Sequence, residues 1–170
     1  ISAFHNKYSD LQVSTFDGVA SFVVGNAASA TTKGIEAELS VEPIDNLDVA
    51  VSAGLLDAKY DDFVNGPSVF GGPASTDLSG RNLQFAPDFT FNFSVGYQAY
   101  LTDDLGLRLE ANGYYNSGYD VPGDLDPALA QNNFFKLGGQ IRLSSDGGDW
   151  DLAIIGKNLT NKRTTGWGND

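Results

Sequence analysis

Carboxylates are the most numerous reactive side chains here, and two groups of them are spaced closely enough to invite chemistry. Asp57, Asp61 and Asp62 form one group, and Asp120, Asp124 and Asp126 the other. Several carboxylate oxygens in one loop suit a hard cation, but neither group has the calcium-loop order that ends in a bidentate Glu. Solvated acidic loops are therefore the expectation, and no metal ligand is assigned. His5 is the single histidine, with no Ser or Cys constellation identifiable around it. Thr31-Thr32-Lys33-Gly34 has the flavour of a phosphate loop. It lacks the Gly-x-x-x-x-Gly-Lys-Ser/Thr order and leads into a strand rather than a helix. Carboxylate pairs alone do not make a glycosidase, because any exposed strand supplies them. Asn158-Leu159-Thr160 matches a glycosylation sequon, to which no weight is given. No enzymatic activity and no cofactor are expected.

A different set of charges carries more information because of where it falls. Glu36, Glu38, Glu42, Asp88, Arg108, Glu110, Lys136, Arg142 and Lys157 lie in or beside segments that alternate oily and wet residues. The clearest segment covers residues 89–99, with Phe89, Phe91, Phe93, Val95, Tyr97 and Ala99 alternating with Thr90, Asn92, Ser94, Gly96 and Gln98. A strand sends successive side chains to opposite faces, so this segment has one apolar and one polar side. The same pattern covers residues 35–42, 47–56, 105–112, 137–143 and 150–154, and a less regular strand is expected over residues 1–16. That gives about seven strands, each near the ~9–11 residues that a tilted strand needs to cross a bilayer. No segment keeps a helical period.

The connections sort by length. Residues 42–46, 102–104 and 144–149 are tight and rich in turn formers, whereas residues 17–31, 61–85 and 116–133 are long and rich in Gly, Pro, Ser and Asp. Antiparallel order puts the short links at one end of the sheet and the long ones at the other, the asymmetry of an outer-membrane barrel. Tyr97, Tyr100 and Trp150 lie toward the short-turn end, and Tyr60, Tyr115, Phe134 and Phe135 toward the long-loop end. Amphipathic rings favour the two membrane interfaces, though strands are rich in aromatics anyway. A net charge of −12 excludes a nucleic-acid partner. With no Cys there is no disulfide framework. No stretch approaches a spanning helix. The fold expected is all-β: an antiparallel, up-and-down transmembrane β-barrel segment of about seven strands from a larger barrel.

Three blocks carry a resemblance to a known family, the β-barrel of TonB-dependent outer-membrane receptors. The first runs from Gly25-Asn26-Ala27-Ala28 to Lys33-Gly34-Ile35-Glu36-Ala37-Glu38-Leu39. The second is Leu78-Ser79-Gly80-Arg81 with Ala86-Pro87 and the Phe-rich strand, and the third is Gly156-Lys157-Asn158-Leu159-Thr160-Asn161-Lys162-Arg163. They stand in the family's order and spacing and cover nearly the whole chain, although Thr164 replaces a common Tyr.

The resemblance implies a late portion of a plugged barrel that imports scarce nutrients across the bacterial outer membrane, commonly ferric siderophores. On this reading residues 1–170 are a fragment of the barrel domain, with plug and final strand absent. The implied partners are the plug domain and remaining strands of the same receptor, the TonB complex of the inner membrane through the missing N-terminal part, membrane lipid, and a small-molecule or metal-chelate ligand. Glu36, Glu38, Arg108, Glu110 and Arg142 are expected to face the lumen and plug. Phe63, Phe70 and Tyr119 are candidates for gripping substrate at the mouth, or for packing the loops on one another. Two other readings use the same strands: another outer-membrane barrel such as a porin or adhesin, and a soluble extracellular β-sandwich. The sandwich would bury the odd-numbered faces between two sheets.

Overall fold

In the computed structural model, residues 1–16, 22–26 and 29–166 are described. Among them are nine strands: β1 (Ser2–Tyr8), β2 (Gln12–Phe16), β3 (Phe22–Asn26), β4 (Ser29–Ile44), β5 (Leu47–Asp62), β6 (Phe89–Thr102), β7 (Leu105–Tyr119), β8 (Gln131–Ser145) and β9 (Asp151–Gly156). Seven form one antiparallel sheet in the order β1-β4-β5-β6-β7-β8-β9. From β4 onward every strand pairs with the next in sequence, an up-and-down wall. The only helix among the described residues is a single 3-10 turn, Pro127–Leu129, whose first turn is capped by the Asp126 carboxylate accepting from the Ala128 N–H at 2.8 Å.

The short links are tight because their residues fit them. Asn46 adopts a positive φ of 67° between β4 and β5, and its N–H donates to Glu42 Oε1 at 3.1 Å. Asp103 and Asp104 join β6 to β7, with the Asp104 N–H donating to Thr102 Oγ1 at 3.3 Å. Ser145 Oγ accepts from the N–H groups of Asp149 and Trp150 and closes the link from β8 to β9.

Two expectations change. The single opening strand over residues 1–16 is broken: Asp10 takes a positive φ of 56°, and β1 and β2 belong to different sheets. β2 pairs with β3 in a separate ribbon inside the β1–β4 connection. Four of the long strands, β4, β5, β7 and β8, also run further toward the long loops than alternation suggests, to 15–16 residues. Residues 29–34, 57–62, 113–119 and 131–136 are strand because the backbone ladder continues after the outward positions have turned polar (Lys33, Asp57, Ser117, Asn133).

Register fixes the two faces. Rows such as Leu39↔Val51↔Phe93 and Tyr97↔Leu109↔Ile141↔Ile154 put the oily positions of adjacent strands side by side. Among the described residues no second layer covers them: Leu39 is 55% exposed, Leu152 62% and Ile154 73%. That removes the sandwich, in which these side chains would be sealed. Among the described residues a buried cluster sits instead at the long-loop end of the opposite face, where Ala30, Tyr60, Phe63, Leu78 and Leu125 pack with Leu11 and Leu83. Tyr60 and Phe134 stand at positions of the polar face and are buried, and Tyr100 shares that register. Of the rings expected at the interfaces, Tyr97, Tyr115 and Phe135 are the strand residues on the apolar face.

Candidate functional site

The polar face of the wall carries its charges on adjacent strands. Glu36 pairs with Gly54 and Glu38 with Ser52, so both carboxylates project on one side of β4. Ser2 Oγ donates to Glu36 Oε2 at 3.4 Å. Toward the short turns, Arg108 is the centre of a larger network. Its Nε donates to Glu110 Oε1 at 2.7 Å, and its Nη2 donates to both oxygens of Asp48, at 2.8 and 2.9 Å. Gln140 Nε2 donates in turn to Glu110 Oε2.

The bridge to Asp48 spans a strand. Asp48 is on β5 and Arg108 on β7, and Gly96 of β6 lies between them, paired with Asp48 on one side and Glu110 on the other. A Cβ at position 96 would overlap Arg108 Nη2 and Asp48 Oδ2, so glycine gives the guanidinium this path and a larger residue would make both side-chain ends shift. Arg142 lies directly across from Arg108, a like-charge pairing that costs energy unless each charge has another partner. Arg108 turns toward β5, and Arg142 turns toward β9, where its Nη1 lies 3.6 Å from Asp151 Oδ2. The five polar-face residues expected from sequence therefore share one face, in three groups: Glu36 with Glu38, Arg108 with Glu110, and Arg142 with Asp151. Asp48, Gly96 and Gln140 belong to the Arg108 network as well. Asp48 and Gln140 stood at wet positions of their segments; the part played by Gly96 needed the pairing register, which no single strand encodes.

At the other end the long loops fold over the same face. Residues 81–83 run beside upper β5, with the Tyr60 N–H donating to Arg81 O and the Leu83 N–H to Ala58 O, each at 3.0 Å. Arg81 Nη2 donates to Leu125 O at 3.4 Å, and Gln84 Nε2 to Val121 O at 3.0 Å, tying residues 63–88 to residues 120–130. Phe63 is only 6% exposed and packs its ring on Tyr60 at 4.8 Å between centroids, so it fastens the loop and has no surface to offer a ligand. Its N–H donates to Ser79 Oγ at 2.8 Å, and the Ser79 N–H donates to Asp77 Oδ1 at 2.9 Å. Hydrogen bonds from the Ser79 hydroxyl and N–H hold the Asp77 carboxyl below its ordinary range.

Phe70 is 85% exposed, at the tip of a finger closed by the Gly66↔Thr76 bridge and a turn in which the Gly72 N–H donates to Val69 O at 2.9 Å. Tyr119 is half-buried; its ring meets Phe85 at 5.5 Å and its hydroxyl donates to Thr165 O at 3.1 Å. The acidic groups are occupied structurally: Asp57 lies between Lys33 and Lys59, and Asp61 accepts from Thr31 Oγ1 at 2.6 Å. Asp124 Oδ1 accepts from the Asp126 N–H at 3.1 Å. Among the described residues no three His, Cys, Asp or Glu side chains converge as a metal site would require.

An open antiparallel sheet with an uncovered apolar side, a charged side, short turns at one end and folded loops at the other is the wall of a transmembrane β-barrel. On β7 the outward run from Leu105 to Tyr115 covers ten residue steps. At ~3.3 Å per residue and ~40° of tilt this spans about 25 Å, the height of the apolar band in such barrels. Residues 1–168 match the model of the TonB-dependent receptor-like β-barrel, and the chain belongs to that family. It is also similar in fold to the ferric yersiniabactin uptake receptor FyuA of Yersinia pestis, with a TM-score of 0.76 and 15% identity over 99% of this chain. The match occupies 23% of FyuA. The family is one of outer-membrane receptors rather than enzymes, and its barrels work with a plug domain and TonB.

Proposed function

We propose that this chain is wall sequence of a receptor that takes up a scarce nutrient across the outer membrane, most simply a ferric siderophore, with energy delivered through TonB. The observation that carries the reading is the division of one sheet into an uncovered apolar face and a charged inner face, in a chain of this family. A wall with free edges leaves backbone groups unpaired in lipid, so β1 and β9 need neighbouring strands. The rest of the barrel and the plug are those neighbours in this reading. Residues 1–170 then form a late part of the barrel domain, with plug and final strand supplied by sequence outside them.

Glu36, Glu38, Arg108, Glu110 and Arg142 would face the plug. Phe70 and Tyr119 remain the candidates for touching ligand at the mouth, with the loop cluster around Phe63 and Leu78 as their rigid base. Uptake of iron-labelled siderophores by cells carrying the full receptor tests the function. Accumulation that stops when TonB is deleted is expected. TonB-independent permeation of small solutes would instead point to a porin.

A further inference from the structure

We propose that a cleft on the inner face, between β7, β8 and the end of β9, binds the anionic rim of the transported metal chelate. The inference rests on the receptor-wall reading above and adds the charge of the ligand. The cleft holds about 370 Å³ and is lined by residues that include Tyr114, Lys136 and Lys157. Gly138 opens it, because a Cβ there would meet Asn112 Oδ1 at 2.9 Å and Gly156 O at 3.2 Å. Lys136 pairs with Tyr114 in the inward register, one row toward the long loops from Asn112 and Gly138. At this height Tyr115 and Phe135 close the apolar run of the opposite face. The cleft therefore lies at the long-loop end of the lumen, just inside the mouth.

Its charge is unlike that of the rest of the chain. Residues 111–119, 131–145 and 152–166 carry Lys136, Arg142, Lys157, Lys162 and Arg163 and no Asp or Glu, in a chain of net charge −12. The ion pairs among the described residues engage Lys33, Lys59, Arg108 and Arg142, and none engages Lys136 or Lys157. Lys136 Nζ donates to Thr164 Oγ1 at 3.1 Å and lies 5.2 Å from the Phe134 ring centroid, so it is held in place without a carboxylate. Lys157 is exposed. Glu110 is the carboxylate among the lining residues, and both its oxygens are occupied: Arg108 Nε donates to Oε1 and Gln140 Nε2 to Oε2. Asp88 and Asp120 line a different cleft. Tyr114 Oη accepts from Asn116 Nδ2 at 2.8 Å, which leaves its O–H as a donor. Two ammonium groups that share a cleft repel each other until an anion sits between them. Their N–H groups and the phenol O–H suit charged acceptors, the catecholate or carboxylate oxygens at the surface of a metal chelate.

The test is equilibrium binding of radio-iron chelates to the purified full receptor in detergent. The probes are a trianionic ferric tris-catecholate, ferric citrate and a neutral ferric tris-hydroxamate. At least one anionic chelate should bind about tenfold or more tighter than the neutral one, by a margin that shrinks as salt rises. The K136Q/K157Q double variant should lose about tenfold in affinity for that anion and keep its affinity for the neutral chelate. K7Q, on β1, should change neither. Neutral binding as tight as that of both anions, or anion binding unchanged in K136Q/K157Q, overturns the proposal. Faster hydrogen exchange in the plug of K136Q/K157Q with chelate affinity unchanged would give the cleft to a plug carboxylate, which also overturns it. Should the double variant fail to fold, K136Q alone and the salt series on the unaltered receptor still decide. Uptake by cells separates the two ideas. Absence of TonB-dependent uptake for all three chelates removes the underlying reading, whereas TonB-dependent uptake that favours the neutral chelate removes only the anion site.

Discussion

Gly96→Ala tests the inner network without altering any charged residue. The new methyl would occupy the path of the guanidinium, so the ends of Arg108 and Asp48 must shift, and the bond pair from Arg108 Nη2 to Asp48, at 2.8 and 2.9 Å, is weakened. Arg108 keeps Glu110, so the loss is confined to the Asp48 arm. The side chains of Arg108 and Asp48 are 30% and 55% exposed, which places this arm near the upper end of the ~0.2–1 kcal/mol range of exposed pairs. Replacing a mid-strand glycine by alanine recovers about 0.5–1 kcal/mol of backbone entropy, which opposes the loss. The net change in stability is therefore expected to be small, and the coupling is the informative quantity. In a double-mutant cycle of G96A with D48A, the methyl should cost about 1 kcal/mol less where Asp48 is already gone. Reversible unfolding of the full receptor by guanidinium in lipid vesicles measures it. Additivity within about 0.3 kcal/mol would show that the bridge through position 96 contributes nothing, and the reasoning about the network would fail.

Three further outcomes are expected. Glu36→Ala with Glu38→Ala should leave the barrel folded but speed hydrogen exchange in the plug; unchanged plug protection would count against a plug-facing role. Gly113→Leu should destabilise by about 1–3 kcal/mol, because a Cβ there meets the rings of Phe93 and Phe135, stacked at 6.4 Å; a neutral result in the same unfolding assay would refute that packing. The Asp77 carboxyl is held below its ordinary 3.8, so its contribution to the loop is complete above that value and is lost as pH falls through its folded pKa. Relative to its intrinsic exchange rate, the Phe63 amide should accordingly lose protection after acidification below pH 3.8 in the parent but not in Asp77→Asn, and identical behaviour of the two would dismiss the Asp77–Ser79 link.

The middle of each strand was legible because one face must be apolar where it meets lipid, and Phe89, Phe91, Phe93 and Val95 alternate without a break. Above that band the outward face becomes Lys33, Asp57, Ser117 and Asn133, alternation disappears, and the strands look like loops although their ladders continue. The broken opening strand was hidden for a related reason. Asp10 needs a left-handed backbone, and Ser9-Asp10-Leu11 carries no glycine or proline to announce it. Of the candidate residues, Glu36, Glu38, Arg108, Glu110 and Arg142 were visible as wet positions of alternating segments. Their grouping was not, because the Arg108–Asp48 contact joins strands that are not adjacent. Phe63 and Phe70 look alike as loop aromatics, and only the tertiary fold of residues 63–88 seals one and exposes the other.

Substitution by depth bears most directly on the orientation of this wall. In the full receptor folded into vesicles, Leu39→Arg and Phe93→Arg at mid-strand should each cost about 2–4 kcal/mol, while Leu105→Arg beside the short turns should cost about 0–1 kcal/mol. Ser52→Arg on the inner face should show no such dependence on depth. Equal penalties at Leu39, Phe93 and Leu105 would mean that the oily side of the sheet does not face hydrocarbon, and the receptor-wall account would be wrong.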